Sequence, residues 1–134
     1  MTGEASPPAY TLLSRWAALE LVATGEYSLI ACRGHSRSYA KYYCKKLDGE
    51  LECVRIWWES WIAEGGASLF RGTPEEVYLW ILRCDAGLID VDRARRALEK
   101  LAGRKIAREK LGEARKSMLR KVLGEEYELY YSED

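Results

Sequence analysis

Hydrophobic spacing divides the chain into helical and strand-like stretches. Leu12, Leu13, Trp16, Leu19 and Leu21-Val22 recur at the three- and four-residue intervals of a helix, and Gly25 ends the run. Ser6-Pro7 offers an N-cap followed by proline at the first helical position, so a helix is expected over 7–23. Beyond it the period falls to two. Residues 27–33, 39–47 and 51–58 are short and rich in aromatic and β-branched side chains, and the last two flank Asp48-Gly49, a tight hairpin turn. Residues 67–71, after Gly65-Gly66, read as a fourth strand.

A two-residue turn at Asp48-Gly49 fixes the hairpin register. Leu47 should pair with Glu50, Lys45 with Glu52, Cys44 with Cys53, Tyr43 with Val54, Lys41 with Ile56 and Tyr39 with Trp58. One face then carries Tyr39, Lys41, Tyr43, Lys45, Val54, Ile56 and Trp58; the other carries Ala40, Tyr42, Cys44, Lys46, Leu51, Cys53, Arg55 and Trp57. Neither set is cleanly polar. One face is expected to cover the core and the other to be an exposed surface of aromatic and basic groups. If the face with Tyr39 is the covered one, that surface is Tyr42, Lys46, Arg55 and Trp57.

Thr73-Pro74-Glu75-Glu76 is a capping box with proline at the first helical position. The helix it opens is apolar through Val77, Leu79-Trp80-Ile81-Leu82, so it should lie under the sheet and close by Gly87, with Cys84 in the core. A last helical region runs from Asp90 or Asp92 to about Leu123. Val91, Ala94, Leu98 and Leu101 form one apolar stripe; Ala107, Leu111, Ala114, Met118 and Val122 form another that points elsewhere, so a break is expected near Gly103. The second stripe is expected to face a partner chain. The fold class is therefore α+β: a four-stranded antiparallel sheet packed on helices, with a C-terminal helix used for oligomerisation. Residues 1–102 form the main domain, 103–124 the oligomerisation helix and 125–134 an acidic Tyr-rich tail, whose tyrosines alternate with acids as in a strand.

Composition narrows the class. The 134 residues suit one domain, and five Trp and nine Tyr exclude disorder of the whole chain. No run of about 18 apolar residues occurs, and residues 1–8 show no basic start to a secretory signal, so a cytoplasmic protein without membrane contact is expected. Asn and Gln are both absent beside 13 Arg and 8 Lys, a composition expected of a hyperthermophile.

The formal charge is zero, yet it is unevenly distributed. Residues 1–92 hold 9 basic and 13 acidic side chains, residues 93–121 hold 12 and 3, and residues 122–134 hold none and 5. Residues 33–46 contain Arg33, Arg37, Lys41, Lys45 and Lys46 with no acid. A neutral total thus hides strongly basic segments.

Catalytic and metal chemistry find little support. His35 is the one histidine, and no phosphate-cradling glycine loop or converging carboxylate set is present, so no enzyme activity and no cofactor are expected. Cys32, His35, Cys44 and Cys53 lack the close ligand pairs of a structural zinc site, and no metal is expected. Cys44 and Cys53 face each other across the hairpin, either as a disulfide or, as expected here, as two buried thiols. Interleaved aromatic and basic residues are instead what a single-strand binder needs: rings stack on unpaired bases while Arg and Lys follow phosphates. Residues 33–46, closed by Arg55, Trp57 and Trp58, have that composition.

These features together resemble the ThermoDBP-type single-stranded-DNA-binding proteins of hyperthermophilic archaea. They are the first helix, the strands around Asp48-Gly49, the Thr73-Pro74-Glu75-Glu76 helix and the basic, partly heptad stretch 104–123. The likeness is architectural, and the glycines at 103 and 112 interrupt the apolar seam, so a short helix pairing is expected rather than a long zipper. The resemblance implies a binding surface with Tyr39, Tyr43 and Trp58 stacking on bases and Arg33, Arg37, Lys41 and Lys45 contacting phosphates; Arg55 belongs to the same basic-aromatic set. The expected partners are single-stranded DNA, bound with little sequence preference, and a second copy of the chain in a dimer or higher oligomer. The alternatives are a protein-interaction subunit docking through its basic C-terminal helix and an RNA-binding accessory protein.

Overall fold

A computed structural model describes residues 8–131, and the Ser6-Pro7 cap and the end of the acidic tail lie outside them. Among the described residues, five strands and five α-helices follow one another as β1 (Tyr10–Leu13), α1 (Arg15–Val22), β2 (Ser28–His35), β3 (Ser38–Lys46), β4 (Leu51–Glu59), β5 (Glu64–Gly72), α2 (Pro74–Asp85), α3 (Val91–Ala102), α4 (Leu111–Leu123) and α5 (Glu126–Tyr131). The strands form one open antiparallel sheet in the order β1-β5-β4-β3-β2.

The sheet has five strands where the sequence suggested four. The apolar run after Pro8 is divided by Ser14, whose hydroxyl accepts from the Ala17 amide at 3.0 Å and caps α1. Leu12 and Leu13, expected on the helix, pair instead with Ser68 and Ala67 of β5. The hairpin register is as expected throughout, from Tyr39 opposite Trp58 to Lys45 opposite Glu52, and the Leu47 amide donates to the Glu50 carbonyl at 2.8 Å.

Both faces of the sheet are covered, though unequally. Helices α2, α3 and α4 cover one face, which we call the helical face. Tyr42, Cys44, Leu51, Cys53 and Phe70 are buried there against Trp80, Ile81, Leu98 and Met118. The Trp80 ring stacks on Phe70 at 5.1 Å and meets Tyr42 edge-on at 5.5 Å. Cys44 and Cys53 form a disulfide rather than two thiols; their Cα atoms lie 4.1 Å apart, as a closely spaced cross-strand pair allows. On the opposite face, α1 seats Ala18 on Val54, Ile56 and Ala67. The expectation of one core face and one bare face is thus corrected: α1 is short and spans only part of its face.

The capping box of α2 is formed. The Glu76 amide donates to the Thr73 hydroxyl at 3.2 Å, and the Thr73 amide donates to the Glu76 carboxylate at 2.8 Å. Cys84 is solvent-exposed rather than in the core. Helix α3 stops at Gly103, whose φ of 76° is the left-handed C-cap conformation that suits glycine.

Helix α4 then turns back onto α2 and buries Ala114, Met118 and Leu119. The stripe expected to face another chain is therefore satisfied within this one. Two buried carboxylates at the start of α2 fasten the return. Glu75 accepts from Arg104 at 2.6 and 2.8 Å and from the Ala107 amide at 2.9 Å, and Glu76 accepts from Lys121 at 2.8 Å. The Arg104 hydrogen bonds outweigh burial and hold the Glu75 carboxyl at about 2. The tail is helical as α5 rather than extended, with Tyr127 buried beneath the Arg120 guanidinium at 4.9 Å.

Candidate nucleic-acid interface

Helix α1 lies mainly across β4 and β5, and on its face β3 meets it only at its margin, where Tyr39 and Tyr43 pack against the cluster beneath the helix and leave one side of each ring open. The pleat of β3 points Tyr39, Lys41 and Tyr43 there, with Lys41 exposed between two half-buried rings. The neighbouring positions of β2 are Cys32 opposite Lys41 and Leu29 opposite Tyr43, both exposed. A bulge at Ile30 makes this possible: it sends Ile30 into the helical-face core while Leu29 stays outside.

One border of this open area is built by α1. Arg15 donates to the Tyr39 hydroxyl at 2.5 Å, and its guanidinium lies 4.9 Å from the Trp58 ring centroid. Trp58 is half-buried beneath it. Gly65 creates the space: a Cβ there would meet the Trp58 ring and the Trp57 carbonyl at 2.7 Å and Arg15 at 2.8 Å. Lys41 reaches back over the Tyr39 ring at 5.4 Å, a cation–π contact that keeps its ammonium above the sheet. Sequence reasoning missed Arg15. Its position in the first turn of α1 could be read only once Ser14 was known as the cap.

The remaining proposed contacts separate into two groups. Arg37 sits exposed in the β2–β3 turn at the end of this face. Lys45 lies on the same face but is already engaged, at 3.2 Å from Glu26 and 3.7 Å from Glu52, with its ammonium over the Tyr27 ring at 5.0 Å. Tyr27 in turn donates to Glu52, which also accepts from Arg71 at 2.5 Å.

Arg33 and Arg55 belong to the helical face, and their assignment to the basic-aromatic surface is corrected. Asp85, at the last position of α2, is buried between them. It accepts from Arg33 Nε at 2.9 Å, from Arg55 Nε at 3.0 Å and Nη2 at 3.3 Å, and from the Tyr42 hydroxyl. Arg33 also donates to Glu59 at 2.8 Å, and Glu59 accepts from Ser38. Burial alone would raise the Asp85 carboxyl, but donation from Arg55, Tyr42 and Arg33 holds it below the ordinary carboxylate range. Burial would lower Arg55, and Asp85 reverses this and raises it. Tyr42 is raised, first by its own burial. These groups tie the end of α2 to β2, β3 and β4. Tyr42 is fully buried, so the alternative surface of Tyr42, Lys46, Arg55 and Trp57 offers no stacking ring at its centre.

Among the described residues, no group of three or more His, Cys, Asp or Glu side chains is placed to hold a metal ion. No described helix is long and apolar enough to cross a membrane. No protein-family model, no curated protein and no solved structure matches this chain.

Proposed function

We propose that this protein binds single-stranded DNA with little sequence preference, using the uncovered half of the α1-side face. The observation that carries the reading is the alternation of Tyr39, Lys41 and Tyr43 on one face of β3, with no carboxylate among the described residues paired to Lys41. Tyr39 and Tyr43 lie four positions apart, about 13 Å along the strand, with Lys41 midway, so two rings that can stack on unpaired bases flank one cation for the phosphate between them. Lys41 and Arg37 supply the phosphate contacts, and Arg15 and Trp58 form the far wall. This assignment agrees with the resemblance to ThermoDBP-type proteins and retains five of the eight residues first singled out. Arg33, Lys45 and Arg55 act in ion pairs instead.

Fluorescence titration with single- and double-stranded oligonucleotides across a salt series tests it. The expected result is tighter binding to the single strand, weakening as salt rises, and loss of binding in Lys41→Ser/Tyr43→Ala. Equal affinity for both strands, or a variant that binds like the wild type, would overturn the reading. Competition between DNA and RNA strands decides between those two polymers.

One observation favours a second reading, a protein-interaction subunit that also self-associates. Between α2 and α4, Leu79, Leu82, Met118 and Leu119 floor a groove of about 430 Å³ whose borders are Arg83 and Arg115. An acidic amphipathic segment of a second chain suits it. A mass measurement at rising salt tests this; a monomer at all concentrations rejects self-association.

A further inference from the structure

The uncovered face does not end at β2. A cavity of about 310 Å³ lies along the edge of that strand. Its near bank includes Leu29 and Cys32, the residues opposite Tyr43 and Lys41. Its far bank is the start of α3, through the capping Asp90 and Arg93, Ala94 and Ala97. The two alanines keep this groove open, since larger side chains there would close it against the strand.

Arg93 begins a row. At about 100° per residue, Arg93, Arg96 and Lys100 fall within about 60° of one another on the solvent side of α3, turned about 100° or more from its buried Ala94 and Leu98. Arg93, Arg96 and Lys100 are exposed, and none has a side-chain partner among the described residues. Three acids adjoin the row: Asp90 caps the helix through the Arg93 amide at 3.0 Å, and Asp92 and Glu99 flank Arg96 but pair with Arg95, Glu99 also accepting from the Ile106 amide at 2.9 Å. The row is therefore three cations without an ion-pair partner among the described residues, spread over about 10 Å of helix, beginning with Arg93 in the groove.

We propose that a bound single strand continues past Tyr43 over the edge of β2, through this groove, and that Arg93, Arg96 and Lys100 follow its phosphates. This rests on the proposed function and extends it. The sheet supplies base stacking, and α3 supplies a second, purely electrostatic stretch that senses strand length. A short oligomer fills only the sheet; a longer one also reaches α3.

The test compares oligothymidylates of about four and about twelve nucleotides, a range that spans single-domain site sizes. They are titrated against the wild type, Arg93→Ser/Arg96→Ser/Lys100→Ser, and a charge-matched control, Arg108→Ser/Lys110→Ser/Lys116→Ser. The wild type should bind the longer strand more tightly. The α3 variant should bind the short strand like the wild type and the long one about tenfold more weakly, and its slope of log affinity against log salt should fall by about 2, from three lost contacts at about 0.7 each. The control should keep the wild-type slope and length dependence. An α3 variant with unchanged slope, or one that loses no more than the control, overturns the extension while leaving the sheet site standing. A wild type that binds neither oligomer overturns both. Melting curves of the two variants confirm that they fold.

Discussion

Asp85→Ala separates a structural role for Arg33 and Arg55 from a role in binding. The substitution removes the acceptor of four hydrogen bonds, three from guanidinium groups and one from Tyr42. Arg33 keeps Glu59 at 2.8 Å, whereas Arg55 is left with no carboxylate among the described residues. Breaking a buried ion pair from one side costs about 3–5 kcal/mol, because the remaining charge stays desolvated. The guanidinium side chains are 12% and 15% exposed, so water recovers part of the loss. A figure of about 3 kcal/mol is expected. With a urea slope of about 2 kcal/mol/M, the unfolding midpoint should fall by about 1.5 M. Asp85→Asn keeps an acceptor oxygen and should lose about half as much. Equilibrium urea unfolding followed by far-ultraviolet dichroism measures both. The same variants carry a binding readout. If Arg33 and Arg55 were phosphate contacts, freeing them from Asp85 would tighten DNA binding. On the present reading affinity stays within about twofold under conditions where the variant is folded. An Asp85→Ala protein within about 1 kcal/mol of the wild type, or one that binds DNA about tenfold more tightly, would refute the reasoning.

Three further outcomes follow from the packing. Glu75→Gln should destabilise at neutral pH but not near pH 2. The carboxyl is held at about 2 against an ordinary 4.5, so its contribution is complete above about 4.5 and disappears as pH falls through about 2. The full linkage is about 3 kcal/mol, reduced to about 1–2 kcal/mol because the Arg104 side chain is 41% exposed and solvent screens the pair; urea midpoints at several pH values check it, and a pH-independent difference argues against it. The Cys44–Cys53 disulfide closes a short loop, with a sequence separation of 9, so protein refolded under strong reductant should be about 2–3 kcal/mol less stable, and equal stability would show that the bond constrains nothing. Gly65→Ala should displace the Trp58 ring and Arg15 at a cost of about 1–3 kcal/mol and shift tryptophan emission, whereas an unchanged spectrum and melting temperature would show that the wall beside Tyr39 adapts freely.

Local chemistry made much of this architecture legible. Asp48-Gly49 permits one hairpin register, and every cross-strand pair from 39 to 58 follows from it. Thr73 through Glu76 carry a complete capping box, and Gly103 carries the break between the last long helices. What escaped was decided by distant residues. Leu12 and Leu13 fit a helix or an edge strand equally well, and only pairing with residues 67 and 68 decides between them. The α4 stripe needed an apolar partner, but nothing in its spacing says whether that partner is another chain or α2. Asp85 lies 52 residues from Arg33 and 30 from Arg55, and its capture of both was invisible in a charge count. Residues 33–46 hold no acid of their own, yet Glu59, Asp85, Glu26 and Glu52 approach this basic stretch from outside it.

The order of the sheet also sets an order of assembly. Strands β2 to β5 each pair with a neighbour in sequence through a turn of a few residues, so their loops close at small entropic cost. Strand β1 is the exception: it belongs at the far edge, against β5, and the whole meander must be made before its place exists. The first part of the sheet to emerge during synthesis is thus the last to be seated, and it brings α1 with it. Pulse-labelled hydrogen exchange during refolding should find the amides of β3 and β4 protected before those of β1. Until that last step the hydrophobic patch of Val54, Ile56 and Ala67 stands open to water, making the newborn chain most vulnerable to aggregation on the face that later carries its proposed ligand.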